Sequence, residues 1–178
     1  DSQGHLWVST YNESLSRSIN LVNDNTVQEL RFESLKDFPL SKQDIIRAIY
    51  EDKKGYIWIG SDYSLVVYNP KNKLFKKITL EQNGVTIPNQ VYFTINQTDE
   101  DQVILGGNQI IVLQNPWEQI DQEREPHIKV KSFIMMGSII VHTILKDSHD
   151  TYWFGTVNGL FRGVLNDGEI NITNEYES

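Results

Sequence analysis

Four histidines, at positions 5, 127, 142 and 149, are the first residues to test for chemistry. None stands in His-Glu-x-x-His spacing, and a lone His in a strand or turn is more often structural than a metal ligand. The chain has no cysteine, which removes disulfides, thiolate metal sites and thiol nucleophiles. Asp99-Glu100-Asp101 lacks the glycine and the spaced carboxylates of a calcium loop and reads as a solvated acidic turn. Arg17, Arg31, Arg47, Arg124 and Arg162 are scattered, so no cluster for an acidic sugar assembles, and no phosphate loop or nucleophile elbow is present. The expectation is a protein without a catalytic constellation, metal or cofactor. What remains is a polar and aromatic palette at Tyr11, Asn12, Asp62, Tyr63, Gln109 and Asn158. Tyrosine can stack on a sugar ring and amides or carboxylates can bond its hydroxyls. At any single position turn geometry is the commoner reason for such a residue type.

Whether these residues share a face depends on the elements that carry them, and a repeat supplies those. The stretch "GYIWIGSDYSLVVYNP", residues 55–70, reads as a β-hairpin: aromatic and β-branched residues alternate, break at Gly-Ser-Asp, and stop at Asn-Pro. A shift of 95 lays Ile45–Asp52 on Ile140–Asp147 and brings Trp58 onto Trp153, Gly60 onto Gly155 and Leu65 onto Leu160. A shift of 46 places Val91 on Ile45, Ile95 on Ile49, Ile104 on Trp58, Gly106 on Gly60 and Asn115-Pro116 on Asn69-Pro70. A further copy opens the chain, where Asp1, Gly4, Trp7 and Ser9 overlie Asp52, Gly55, Trp58 and Gly60.

Each copy reads as four short strands, A to D. Strand A is Ile-x-x-x-Ile and strand B carries x-Trp-x-Gly. Strand C follows Ser/Thr-x-x-x-Leu, and a more polar strand D is typified by Leu74–Ile78 and Glu169–Ile172. Four-stranded antiparallel units at this period describe an all-β protein, a β-propeller segment in which each unit is a blade that needs neighbours to bury its faces. The units run approximately over residues 1–38, 44–80, 90–135 and 139–175, about three and a half blades within residues 1–178, which points to part of a larger ring. In this scheme Trp7, Trp58, Ile104 and Trp153 occupy equivalent interblade positions, and Gly60, Gly106 and Gly155 permit close approach. A capped helix starting at Ser41-Lys42-Gln43-Asp44 is the local competitor, but the gapless match of Ile45–Asp52 to the β-branched run at Ile140 argues for strand.

Composition agrees with a globular domain: 39% hydrophobic, 11% aromatic and 22% charged residues. A net charge of −8 makes a nucleic-acid backbone an unsuitable partner. No run of 18 apolar residues is present to span a membrane. The Asp1-Ser2-Gln3-Gly4 start carries neither initiator Met nor signal peptide and reads as a piece of a longer protein or a matured one. Asn-x-Ser/Thr matches at Asn12, Asn96 and Asn171 are of the kind chance supplies in an Asn-rich chain.

The pattern Asp-x-x-Gly-x-Ile-Trp-Ile-Gly-Ser/Thr-x-x-x-Leu, carried most fully by "EDKKGYIWIGSDYSLVVYNP" and "KDSHDTYWFGTVNGLFRG", resembles the two-component regulator propeller repeat. The turns also resemble the Asp-box of sialidase propellers, itself a structural turn. Departures from the repeat are Ile104 for Trp, Asp101 and Asp150 for the turn glycine, and Ser9 for the glycine after Trp. The resemblance implies the periplasmic sensor region of a Bacteroidetes hybrid two-component regulator, in a seven-bladed ring. It implies an inner-membrane anchor, a homodimeric parent protein, a histidine kinase phosphorelay downstream, and an oligosaccharide ligand. It also makes residues 117–138 a candidate exit segment toward a β-sandwich, or else an unusual strand D. Two other classes stand beside the sensor: a fragment of a propeller-fold carbohydrate-active enzyme, and a non-catalytic protein-interaction scaffold.

Overall fold

The computed structural model describes residues 1–11, 13–19, 29–35, 37–40, 44–88, 90–98, 101–166 and 169–176. Unit 1 consists of β1 (Trp7–Thr10), β2 (Glu13–Ser18) and β3 (Phe32–Ser34) in one antiparallel sheet. Unit 2 follows as β4 (Ile46–Glu51), β5 (Ile57–Ser61), β6 (Leu65–Asn69) and β7 (Leu74–Gln82), with the two-residue strand β8 (Val85–Thr86) paired to β7. Unit 3 is β9 (Tyr92–Gln97), β10 (Gln102–Gly107), β11 (Gln109–Gln114), helix α1 (Trp117–Gln122) and β12 (His127–Met135). Unit 4 is β13 (Val141–Lys146), β14 (Thr151–Thr156), β15 (Gly159–Asn166) and β16 (Glu169–Tyr176), in sequential antiparallel order. The segment at Ile46 is strand, as the repeat requires.

The turn before each strand B explains the motif atom by atom. In unit 2 one oxygen of Asp52 accepts from the backbone N–H groups of Lys54 and Tyr56, each at 2.9 Å, and the other accepts from the Trp58 indole at 2.8 Å. Asp147 repeats the arrangement with His149, Thr151 and Trp153, and Asp1 with Gln3, His5 and Trp7. The Trp153 hydrogen bond, ahead of the backbone donors, holds the Asp147 carboxyl below the usual carboxylate range. Unit 3 lacks both members of the pair: Thr98 stands at the Asp position and Ile104 at the Trp position. The turn itself survives, because Thr98 N–H still bonds the Gln102 carbonyl at 2.9 Å. The left-handed turn residue is Gly4 or Gly55 in two units and Asp101 (φ 57°) or Asp150 (φ 60°) in the others. Aspartate is among the side chains that tolerate this region, so the conformation is kept where glycine is lost.

Successive side chains of a strand point to opposite faces, and β5, β6, β10 and β11 are buried almost continuously, so these sheets are covered on both faces and the core lies between units. Trp7 and Leu15 of unit 1 pack on Ile57, Ile59, Val66 and Tyr68 of unit 2. The opposite face of unit 2, with Trp58, Leu65 and Val67, meets Ile95, Val103, Leu105 and Ile111 of unit 3. Ile104, Ile110 and Val112 of unit 3 then meet Val141, Ile144 and Phe154 of unit 4. A Cβ added to Gly60 would stand 2.7 Å from Tyr92 Cβ, so the glycine is what lets units 2 and 3 close on each other. Trp58 and Ile104 are fully buried, whereas Trp153, on the last face, is half-buried.

Three features lie outside the repeat. Units 2 and 3 are not separate sheets: β12 runs parallel to the end of β7, with His127 opposite Thr79 and Lys129 opposite Glu81, giving one nine-stranded sheet. Residues 117–138 contain helix α1 and then β12, which pairs antiparallel with β11 as the closing strand of unit 3. The strand B to C turn of unit 3 is one residue shorter than its counterparts. Gly106 pairs with Ile110, against Gly60 with Leu65 and Gly155 with Leu160. In pairing register it is therefore Gln114, not Asn115, that matches Asn69.

Candidate functional site

The B–C turns and the starts of the first strands lie at one end of the units. Asp62 N–H bonds the Ile45 carbonyl at 3.1 Å, and Val157 N–H bonds the Ile140 carbonyl at 3.2 Å. Of the residues expected to share that end, Tyr11 and Tyr63 are exposed, at 73% and 65%. Asn158 is exposed with its backbone N–H on Thr156 Oγ1, and Gln109 begins β11. Asn12 lies outside the described residues, as do Asn89, Asp99 and Glu100.

Asp62 is engaged rather than free. It accepts two hydrogen bonds from the Arg47 guanidinium, at 2.6 and 3.2 Å. The forked guanidinium matches a carboxylate in this two-bond mode. The Asp62 hydrogen bond raises the Arg47 pKa above its usual value, and the Tyr11 phenol adds a smaller electrostatic contribution.

Arg47 opens a row that residue-type matching does not reveal. It lies over the Phe93 ring with 5.5 Å to the centroid, and Phe93 in turn meets the His142 ring at 4.5 Å. Arg47, Phe93 and His142 hold the same position on β4, β9 and β13, the first strands of three successive units, which are neighbours in the stack. A guanidinium, a phenyl ring and an imidazole therefore form a column along the first strands, with Asp62 paired to its arginine. A cation over an aromatic face contributes about 0.5–1 kcal/mol where exposed. Chemically the column offers charge-assisted donors, a carboxylate acceptor and ring faces, a recognition surface for hydroxyls and flat rings. The shifts of 46 and 95 already overlay these three residues, so the signal lay in register. Among the described residues no group of three or more His, Asp or Glu side chains is placed to hold a metal ion, and no helix is long and apolar enough to cross a membrane.

Stacked four-stranded units with inner first strands define a β-propeller segment. Residues 39–63, spanning the Asp52 turn and Trp58, match the family model of the two component regulator propeller. No curated protein matches the chain. Among solved structures it is similar to the extracellular domain of the putative one component system BT4673 from B. thetaiotaomicron, with TM-score 0.70 and 20% identity over 97% of this chain and 24% of that one. A second structure of the BT4673 extracellular domain, described as a putative hybrid two component system, gives 0.69 and 21% over the same shares. The extracellular domain of the putative hybrid two component system BT3049 from B. thetaiotaomicron gives 0.51 and 18%, over 98% of this chain and 26% of that one. The chain thus spans about a quarter of the length of these structures, and the likeness is one of fold.

Proposed function

We propose that this chain is a section of the extracytoplasmic, periplasmic propeller of a hybrid two-component sensor regulator. In this reading it is non-catalytic and binds an oligosaccharide at the B–C end of its units. The parent protein, a membrane-anchored homodimer, passes binding on to a histidine kinase. The observation that carries the reading is the Arg47–Phe93–His142 column with Asp62 paired to its arginine, on a stack one of whose units matches the regulator propeller repeat. Three inner-strand side chains in contact, two exposed tyrosines and an arginine–carboxylate pair suit a ligand with hydroxyls and flat faces.

Calorimetry of the protein against a panel of neutral and acidic oligosaccharides tests this, with product analysis on the same samples. Saturable binding without turnover is expected. Arg47→Ala should weaken it at least about tenfold, since a charge-assisted pair contributes about 1.5–3 kcal/mol. Turnover would instead indicate an enzyme, and silence across the panel would indicate a scaffold; either result overturns the reading.

A further inference from the structure

At the end of the units away from the B–C turns, where strand A turns into strand B, the same place is built in two ways. Between units 2 and 3 it is filled by Trp117, whose indole donates to Asp52 at 2.7 Å and carries the Lys54 ammonium 3.9 Å from its ring centroid. Trp117 reaches it because β11 ends at Gln114 and helix α1 starts at once. Between units 3 and 4 the turn carries Thr98 at the Asp52 place, and β15 continues to Asn166, past the pairing position that Gln114 holds in unit 3. There Thr98, Lys146, Tyr152, Val164, Leu165 and Asn166 line a hollow of about 310 Å³. Its walls match those around Trp117. Lys146 pairs with Tyr152 as Gln97 pairs with Val103, and the Gln97 side chain reaches the unit 2 turn, accepting from Lys53 N–H at 2.7 Å. Thr98 is buried, and its hydroxyl has no hydrogen-bond partner among the described residues. Lys146 Nζ lies 6.0 Å from the Tyr152 ring centroid and 2.7 Å from Asp150 Oδ1.

We propose that this hollow is a binding site for a small neutral aromatic molecule of the indole class. Its ring takes the place that the Trp117 indole holds one interface earlier, beside the turn and next to a lysine. A cavity of about 150 Å³ accepts benzene, so one of about 310 Å³ has room for a fused two-ring system. Tyr152, Val164 and Leu165 supply ring and apolar contact, and Lys146 supplies a cation to the ring face, as Lys54 does for Trp117. The ligand is neutral because Asp150 already matches the Lys146 charge. The site is distinct from the Arg47–Phe93–His142 column and does not depend on the oligosaccharide reading.

Indole itself is the probe, titrated into the isotope-labelled protein with backbone amide shifts as the readout. Saturable shifts are expected at Thr98, Tyr152, Val164 and Leu165, with a dissociation constant below about 1 mM. Cyclohexanol, which has no aromatic face, should leave those amides unmoved. Leu165→Trp fills the hollow from its wall and should weaken indole binding at least about tenfold. Lys146→Met keeps the stem, removes the charge and should weaken it about threefold or more. Failure of indole to saturate these amides, shifts confined to Phe93 and His142, or an equal response to cyclohexanol would each overturn the site. So would undiminished binding in Lys146→Met, an exchange at the rim that leaves the apolar walls of the hollow in place.

Discussion

One carboxylate, Asp52, serves four donors drawn from two units. Besides Lys54, Tyr56 and Trp58 it accepts from the indole of Trp117, at 2.7 Å, which enters from helix α1 of unit 3. Both indoles and the carboxylate are buried, so removing the acceptor leaves donors that water does not reach. Asp52→Ala should therefore lower unfolding free energy by at least about 3 kcal/mol, counting about 1–3 kcal/mol for each stranded buried donor. Asp147→Ala should cost clearly less, since Trp153 is half-exposed and water can replace the lost acceptor. Urea denaturation of the two variants checks the order. Thr98 is the opposite case: it sits at the same turn position, is buried, and its hydroxyl has no hydrogen-bond partner among the described residues. Thr98→Val keeps the shape and removes that unmet group, so it should raise stability by about 1 kcal/mol, read as a higher urea midpoint at unchanged slope.

At the scale of elements, α1 and β12 bind unit 3 to unit 2 where the repeat alone would leave two separate outer edges. Lys76 caps the last turn of the helix, donating to the carbonyls of Ile120 and Glu123. The Tyr56 hydroxyl donates to Asp121, and burial, ahead of that carboxylate, pushes the Tyr56 phenol up. Where β12 begins, His127 Nδ1 lies 2.6 Å from Glu81 Oε1, at the start of the parallel ladder with β7. The hydrogen bond to Glu81 raises the His127 pKa above 6.5, with burial opposing. A histidine whose folded pKa is raised contributes its stabilisation fully below its unfolded pKa and loses it as pH rises through the folded one. The β7–β12 ladder should accordingly loosen from about pH 6.5 upward. Amide exchange at Leu80 and Lys129 should quicken over that range in the natural chain, beyond the intrinsic rise with pH. In His127→Gln that extra dependence should vanish; its persistence would assign it elsewhere.

For the molecule as a whole, the sheets stack as a quasi-one-dimensional array in which each face is stabilised only by its neighbour. The parts of this arrangement that recur were legible in the sequence: four units, their strand order, and the Trp-x-Gly positions between them. Features made once were not. Helix α1 and the parallel β7–β12 ladder leave no periodic trace. The bond from each tryptophan to its own Asp is hidden because turn geometry accounts for the Asp and interblade filling for the Trp, though the two disappear together in unit 3. The Arg47–Phe93–His142 column escaped because a cation, a ring and an imidazole share a position and no chemistry. The array also makes two identical residues unequal. Trp58 is fully buried between units 2 and 3, and Trp58→Ala should cost about 3–5 kcal/mol. Trp153 holds the same place on a face that none of the described units covers, so Trp153→Ala should cost under about 1.5 kcal/mol, the transfer of a partly wet side chain. Urea midpoints for the two variants of the 178-residue chain measure the difference directly. Equal losses would mean that each tryptophan acts within its own sheet through its Asp, and that stacking between units is not what holds the array together.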